Sequence, residues 1–156
     1  MTGDLWRRAA SAAARWHHGQ TRRDHKTPYV SHVYRVAMTV RHSFGCDDEE
    51  CLAIALLHDV IEDTPADYDD VLEAFGETVA KGVAALTKDM RMPEDEREPA
   101  YDAQLAAAGW RAKMVKLADT VDNLLDAESP MPKGIDKCHR AIGIAERHEG
   151  GELDAA

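Results

Sequence analysis

Four ionisable side chains lie within six residues of each other, at His58, Asp59, Glu62 and Asp63. If this stretch is helical, each acid of the later pair lies over one member of the earlier pair, because positions i and i+4 share a helix face. The preceding run, residues 51–57, is apolar and predicts a buried helix. Ionisable groups at the end of a buried helix need a partner, because burying them alone is costly. A metal ion is a suitable partner, so this stretch indicates metal-assisted hydrolysis.

Two further side chains could complete a metal site. His32 lies at the start of a predicted helix, and Asp119 lies in an otherwise apolar stretch of another one. Each alone is more often a satisfied structural residue. Together with His58 and Asp59, however, they form a mixed nitrogen and oxygen set from three helices, which suits Mn²⁺, Fe²⁺, Co²⁺ or Zn²⁺. Such an ion lowers the pKa of a bound water and polarises a phosphoryl oxygen.

Positive charge is concentrated near the N-terminus of an acidic chain. Residues 1–41 contain eight Arg or Lys and two Asp, although the net charge of all 156 residues is −10. The overall charge argues against extended nucleic acid as a ligand, whereas a local basic region suits a small polyanion. Arg22 and Arg23 could bind outer phosphates or stack on a base. For Arg7, Arg8 and Arg15, the alternative to ligand binding is a position on the solvated face of an amphipathic helix.

Two lysines farther along the chain are also candidates. Lys88 and Lys116 could each reach a phosphate or pair with a nearby acid. Lys88 is included among the predicted substrate-binding residues. Glu62 and Asp63 are close enough to two candidate metal ligands to orient a water and transfer its proton. Their alternative is an ordinary role as acids at a helix end.

Helical periodicity dominates the elements that must position these residues. The chain is rich in alanine, and no segment has the alternation typical of strands, so we predict an all-α, single-domain helical bundle over residues 1–150 with a frayed tail at 151–156. Residues 89–99 are charged and contain two prolines, which predicts a loop or lid. Helices are predicted at about 4–18, 30–44, 48–61, 68–75, 77–87, 100–107, 109–126 and 134–147.

Cysteine usage and hydropathy favour a cytoplasmic protein without a membrane segment. The three cysteines form no CxxC pair, which is typical of reduced thiols in the cytosol. The N-terminus lacks the apolar core of a signal peptide, and no apolar run approaches the ~20 residues that span a bilayer.

The order of His32, His58-Asp59 and Asp119 resembles the H…HD…D signature of the HD phosphohydrolases. More narrowly, residues 5–126 resemble the hydrolase domain of RelA/SpoT-type alarmone enzymes, in the branch of small stand-alone hydrolases. The supporting motifs are His17-His-Gly-Gln20 with Arg22-Arg23, Thr27-Pro-Tyr-Val-Ser-His32, Leu56-Leu-His-Asp-Val-Ile-Glu-Asp-Thr64, Leu86-Thr-Lys88, and Val115-Lys-Leu-Ala-Asp119 with Asn123.

The resemblance implies an HD-type helical fold and hydrolysis of the 3′-pyrophosphate of (p)ppGpp to GDP or GTP and pyrophosphate. It implies one divalent ion, usually Mn²⁺, and a guanosine polyphosphate as the small-molecule partner. We expect a monomer or a homodimer. By the same resemblance, one of Arg22 and Arg23 faces the purine and Asn123 contacts the substrate. The acids that position or deprotonate the attacking water are Glu62 and Asp63. The implied metal ligands are His32, His58, Asp59 and Asp119.

The chain departs from the family pattern at Val33, Thr120, Asp122 and Leu125. These positions border the substrate pocket, so two alternatives stay open. One is an HD phosphohydrolase of another nucleotide, such as a 5′-nucleotidase or a phosphatase of a dinucleotide cofactor, which would release orthophosphate. The other is a non-catalytic nucleotide sensor, against which the complete set of candidate catalytic residues argues.

Overall fold

The computed structural model describes residues 3–126 and 132–146, and within these ranges every regular element except one isolated β-bridge is helical. The all-α prediction is therefore confirmed. The predicted tail, 151–156, lies outside the described residues, and the domain boundary at 150 stays a prediction. The helices are α1 Leu5–Trp16, α2 Val30–Met38, α3 Glu49–Leu57, α4 Val60–Asp63, α5 Tyr68–Phe75, α6 Glu77–Ala85, α7 Glu94–Ala106, α8 Trp110–Asp126 and α9 Pro132–Glu146, with a π-helical turn at Thr39–Ser43 after α2.

Helix α3 is the centre of the core. All residues from Ala53 to Leu57 are buried, and α1, α2, α6 and α8 pack around them. Small residues allow these helices to approach closely: α1 presents buried alanines, and a Cβ at Gly82 of α6 would lie 2.3 Å from Ile54 Cδ1. The apolar run in the sequence thus becomes the central helix that carries His58 and Asp59 at its end.

Asp48 fixes α3 against α8. Its carboxylate accepts the Cys51 backbone N–H at 2.8 Å, which caps the N-terminus of α3. The same carboxylate accepts two hydrogen bonds from Arg111, with Nε–Oδ1 at 2.7 Å and Nη2–Oδ2 at 2.9 Å. Because Arg111 lies in the first turn of α8, this pair joins the N-terminal ends of α3 and α8, and His58 follows the opposite end of α3.

Two predicted boundaries are wrong. The predicted helix to residue 61 ends at Leu57, and a short helix α4 follows after a turn at His58 and Asp59. The predicted loop at 89–99 is helical from Glu94 onward, with Pro99 inside α7. Three acids in the first turn favour this helix through its dipole, and burial of Tyr101 and Leu105 offsets the usual cost of an internal proline.

Among the described residues, no helix combines the length and apolar character required to cross a bilayer.

Candidate active site

The four side chains predicted as metal ligands converge. His32 Nε2 lies 3.1 Å from Asp119 Oδ1 and 3.5 Å from Asp59 Oδ2. His58 Nε2 lies 3.1 Å from Asp59 Oδ2 and 3.5 Å from Asp119 Oδ1. Two carboxylate oxygens thus face both imidazoles. Ligand bonds of about 2.1 Å place neighbouring ligand atoms roughly 3.0–3.4 Å apart, so the spacing suits a divalent ion.

The hydrogen bonding of His58 also fits a metal ion. Its Nδ1 lies 2.7 Å from the Ala55 carbonyl oxygen. Since a carbonyl only accepts, Nδ1 carries a proton, and Nε2 is the nitrogen left available to bind a metal ion. Nε2 is buried and has no hydrogen-bond partner. A buried acceptor nitrogen beside two carboxylate oxygens is what a divalent cation needs.

The turn at His58 and Asp59 allows neighbouring side chains to meet. In a regular helix, consecutive side chains point about 100° apart around the axis. Ending α3 at Leu57 and restarting the helix at Val60 brings His58 Nε2 and Asp59 Oδ2 within 3.1 Å. The continuous helix expected from the sequence would have separated these groups.

Without an ion, the imidazoles and carboxylates of the cluster form ion pairs. Burial by itself would lower the pKa of His58, but Asp59 and Asp119 outweigh it and raise that pKa well above its ordinary value. Burial would raise the pKa of Asp119, but Lys116 and the two imidazoles hold it well below its ordinary value. The site therefore favours positive charge between the carboxylates, which protons supply in the absence of metal.

Glu62 and Asp63 flank the cluster on α4. Burial raises the pKa of both carboxyl groups, and the charge of Asp59 adds to the effect. Glu62 Oε1 accepts the Lys88 backbone N–H at 2.9 Å, and Asp63 Oδ2 lies 3.4 Å from the Tyr29 hydroxyl. Both acids line the same cavity as the cluster, so they can act as bases on a water there.

The structure distinguishes Arg22 from Arg23. Arg22 donates to Asp126 Oδ2 from Nε at 3.0 Å and from Nη2 at 2.9 Å, and its guanidinium lies 5.4 Å from the centre of the Tyr29 ring. Its Nη2 also donates to Asn123 Oδ1 at 3.2 Å. Arg23 is exposed. Of the two arginines, Arg22 is therefore the one packed beside the cavity.

Asn123 and the two lysines also lie at the cavity. Asn123 Nδ2 donates to Asp119 Oδ1 at 2.8 Å and so joins Arg22 to the cluster. Lys88 Nζ pairs with Glu98 at 2.7 Å, and Lys116 Nζ pairs with Asp119 Oδ2 at 3.0 Å. Each lysine thus has an acidic partner and also lines the cavity.

The cavity has a volume of about 190 Å³ and a largely polar wall. Its lining residues are Tyr29, His32, His58, Asp59, Glu62, Asp63, Leu86, Lys88, Tyr101, Lys116, Asp119 and Asn123. It contains every predicted site residue except the two arginines.

Sequence reasoning assigned no role to several residues that contact the cluster. The Tyr29 hydroxyl donates to Asp59 Oδ2 at 2.6 Å, and Asp122 Oδ2 accepts from His32 Nδ1 at 2.7 Å. Burial would raise the pKa of Asp122, but hydrogen bonds from His32 and Arg35 lower it to about 2. The sequence signal that could have identified these two residues is helical spacing. Tyr29 lies three residues before His32, and Asp122 lies three residues after Asp119.

Comparison with known proteins identifies the family. Residues 9–142 match the model described as HD domain. The guanosine-3′,5′-bis(diphosphate) 3′-pyrophosphohydrolase MESH1 of Drosophila melanogaster is 41% identical over 123 residues, which are 78% of this chain and 69% of that protein. The bifunctional (p)ppGpp synthase/hydrolase SpoT of Escherichia coli is 36% identical over 132 residues, 81% of this chain but 18% of SpoT.

A solved structure agrees with these matches. It is a metazoan ortholog of SpoT that hydrolyses ppGpp, and it is 31% identical with a TM-score of 0.80 over 99% of this chain and 92% of its own. The resemblance to RelA/SpoT-type hydrolase domains is therefore confirmed, and the chain belongs to the HD-domain family of metal-dependent hydrolases.

Proposed function

We propose that this protein removes the 3′-pyrophosphate of (p)ppGpp, which yields GDP or GTP and pyrophosphate. The observation that carries the proposal is the convergence of two imidazoles and two carboxylates at the base of a polar cavity. The MESH1 relatives and the ppGpp-hydrolysing structural neighbour support the choice of substrate.

The proposed metal site consists of His32, His58, Asp59 and Asp119 and holds one divalent ion. We propose Mn²⁺, because the resemblance to the alarmone hydrolases implies it and a set of two nitrogen and two oxygen ligands is compatible with it. When bound, such an ion polarises a phosphoryl oxygen and lowers the pKa of a coordinated water.

Glu62 and Asp63 would take up the proton of the attacking water. Asp63 is the better placed of the two, because Glu62 Oε1 is already occupied by the Lys88 backbone N–H. The raised pKa of the Asp63 carboxyl makes it a stronger base than an aspartate of ordinary pKa. A positioned base of this kind contributes about 10²–10⁴-fold to the rate.

Substrate binding would involve the residues at the cavity rim and wall. Arg22 and Asn123 are held together by a 3.2 Å hydrogen bond, and Arg22 can stack on the purine with its guanidinium plane. Lys88 and Lys116 offer ammonium groups to the phosphates. Their acidic partners hold the ammonium groups in position until substrate arrives.

We further propose a cytoplasmic enzyme that acts as a monomer or homodimer on a small nucleotide. The free cysteines, Cys46, Cys51 and Cys138, support a reducing compartment. The net charge of −10 argues against extended nucleic acid as a partner.

The experiment is incubation of Mn²⁺-loaded protein with ppGpp, pppGpp, nucleoside 5′-monophosphates and a phosphorylated dinucleotide cofactor, followed by anion-exchange separation of products. We expect pyrophosphate with GDP or GTP from the first two substrates. Asp119→Asn is the negative control, because it removes a proposed ligand charge without changing size. Orthophosphate release from the other nucleotides, with ppGpp intact, would assign a different substrate.

A further inference from the structure

Asp122 contacts a candidate metal ligand, His32, from outside the cluster. It lies on α8 one turn beyond Asp119 and is only 6% exposed. Its Oδ2 lies 2.7 Å from His32 Nδ1, on the side of the imidazole opposite the cluster. Since an ionised carboxylate only accepts, Nδ1 of His32 carries a proton, and Nε2, which faces Asp59 and Asp119, is the nitrogen left available to bind a metal ion.

The two histidines are thus oriented by acceptors of different charge. His58 donates to the neutral carbonyl of Ala55, whereas His32 donates to a carboxylate. A carboxylate partner fixes the ring and also increases the basicity of the ligating nitrogen. His32 is therefore built as the stronger nitrogen donor of the pair.

Arg35 holds Asp122 in place. Its Nε donates to Asp122 Oδ1 at 2.7 Å and its Nη2 to Asp122 Oδ2 at 3.0 Å, which is the two-pronged geometry of a strong arginine–carboxylate pair. Arg35 lies on α2, three residues after His32. The Asp122 carboxylate on α8 thus accepts hydrogen bonds from both Arg35 and His32 on α2.

The contacts continue to the cavity rim. Arg35 Nη2 lies 3.3 Å from Asp126 Oδ2, and the same oxygen accepts from Arg22. Arg22, beside the cavity, is therefore connected to His32 in the cluster by successive ion pairs through Asp126, Arg35 and Asp122. Asp122 is also one of the positions where the chain departs from the family motif, so this arrangement is not a property carried over from the family.

We propose that Asp122 is a positioning residue that holds His32 in its metal-binding orientation, and that Arg35 acts through Asp122. The inference rests on the proposed metal site but not on the identity of the substrate. It can therefore be tested without any nucleotide.

The test is Mn²⁺ binding to the full chain, measured from the electron paramagnetic resonance signal of free Mn²⁺. We expect Asp122→Ala to raise the Mn²⁺ Kd about 10–100-fold, the range found for partners of ligating histidines. Asp122→Asn keeps an acceptor for Nδ1 but loses the charge, so we expect a smaller rise, roughly 3–10-fold. Arg35→Met should raise Kd in wild-type protein and add little in the Asp122→Ala background, because it acts through the same carboxylate.

The matched control is Asp48→Asn, which breaks another two-pronged arginine–carboxylate pair, between the N-cap of α3 and the first turn of α8. It should lower the Tm and leave the Mn²⁺ Kd unchanged. A wild-type Kd in both Asp122 variants would overturn the inference and leave Asp122 a packing residue. If Asp122→Ala does not fold, the Kd of Asp122→Asn decides alone. Wild-type protein that binds no divalent metal would overturn the proposed metal site, and this inference with it.

Discussion

The hydroxyl of Tyr29 donates a 2.6 Å hydrogen bond to Asp59 Oδ2, the oxygen that also faces both imidazoles. The bond joins the first residue before α2 to the turn after α3. It restricts the Asp59 carboxylate to one orientation, so the phenol contributes to the geometry of the cluster without belonging to it.

We therefore expect Tyr29→Phe to reduce kcat about tenfold, because a hydrogen bond to a charged group is worth about 1.5–3 kcal/mol. The matched control is Tyr101→Phe, which also removes a hydroxyl from the cavity wall, one that donates to the Leu86 carbonyl instead. Steady-state kinetics at saturating Mn²⁺ would compare the two. Equal losses in both variants would show that Asp59 is not the relevant partner.

Substitution of the acids on α4, Glu62 and Asp63, should reduce turnover without weakening metal or substrate binding. Glu62→Gln and Asp63→Asn preserve shape, and neither residue is needed to complete the ligand set, so we expect unchanged Mn²⁺ content and substrate affinity. We expect kcat to fall about 10²–10⁴-fold for Asp63→Asn and less for Glu62→Gln, because Asp63 is the freer base. Single-turnover pyrophosphate release would measure the effect. Near-full kcat in both variants would assign proton uptake to another group.

The two consecutive arginines provide a built-in comparison. We expect Arg22→Ala to raise KM for ppGpp about 10–100-fold with a small change in kcat, because a stacking or charge-assisted contact is already made in the ground state. Arg23→Ala should behave like wild type, since Arg23 is exposed. Initial-rate measurements over a range of ppGpp concentrations test this. A larger KM effect from Arg23 would reverse the assignment.

The Asp48–Arg111 pair should make stability depend on pH. The hydrogen bond from Arg111 lowers the pKa of Asp48 below its ordinary value of 3.8. Because the pKa is lower in the folded state, the ionised carboxylate stabilises the protein above about pH 4, and this contribution is lost as pH falls through the folded-state pKa. Asp48→Asn should cost about 1 kcal/mol at pH 7, because Asn can still cap α3 but loses the charge that binds Arg111 at a partly exposed site, and the difference from wild type should shrink toward pH 3.

Urea unfolding of metal-free protein at several pH values measures this difference. Glu77→Gln is the control, because Glu77 forms an ion pair with Lys81 on the exposed surface of α6. Loss of that exposed pair should leave the unfolding free energy nearly unchanged. A difference for Asp48→Asn that stayed constant down to pH 3 would contradict the role of ionised Asp48.

The turn at His58 and Asp59 is a feature that the local sequence did not predict. The apolar run before it predicted α3, and the residue types predicted that His32, His58, Asp59 and Asp119 would lie together. Nothing local, however, distinguishes a continuous helix from one that breaks before Val60. The break brings His58 and Asp59 together, and His58 also meets Asp119, 61 positions further along the chain. Tertiary contacts of this kind override local helical preference.

The arginines illustrate a second limit. Arg22 and Arg23 are chemically equivalent in the sequence, but the backbone pairs Thr21 with Pro28, and Arg22 N–H donates to the Thr27 carbonyl at 2.8 Å. In such a locally extended segment, consecutive side chains point to opposite sides. Arg22 therefore turns toward Tyr29 and Arg23 toward solvent. The sequence therefore predicted both arginines as candidates for substrate binding, but it could not show which of them faces the cavity.

The ligand cluster draws on α2, the end of α3 and α8, which are far apart in the sequence. An ion held there would act as a cross-link between distant parts of the chain as well as a cofactor. Ligand binding to the folded state alone stabilises it by about 2.7 kcal/mol at a free concentration of 100 Kd. Scarcity of the metal would then loosen the core of the enzyme at the same time as it stopped turnover, so the amount of folded protein would itself follow the supply of the ion.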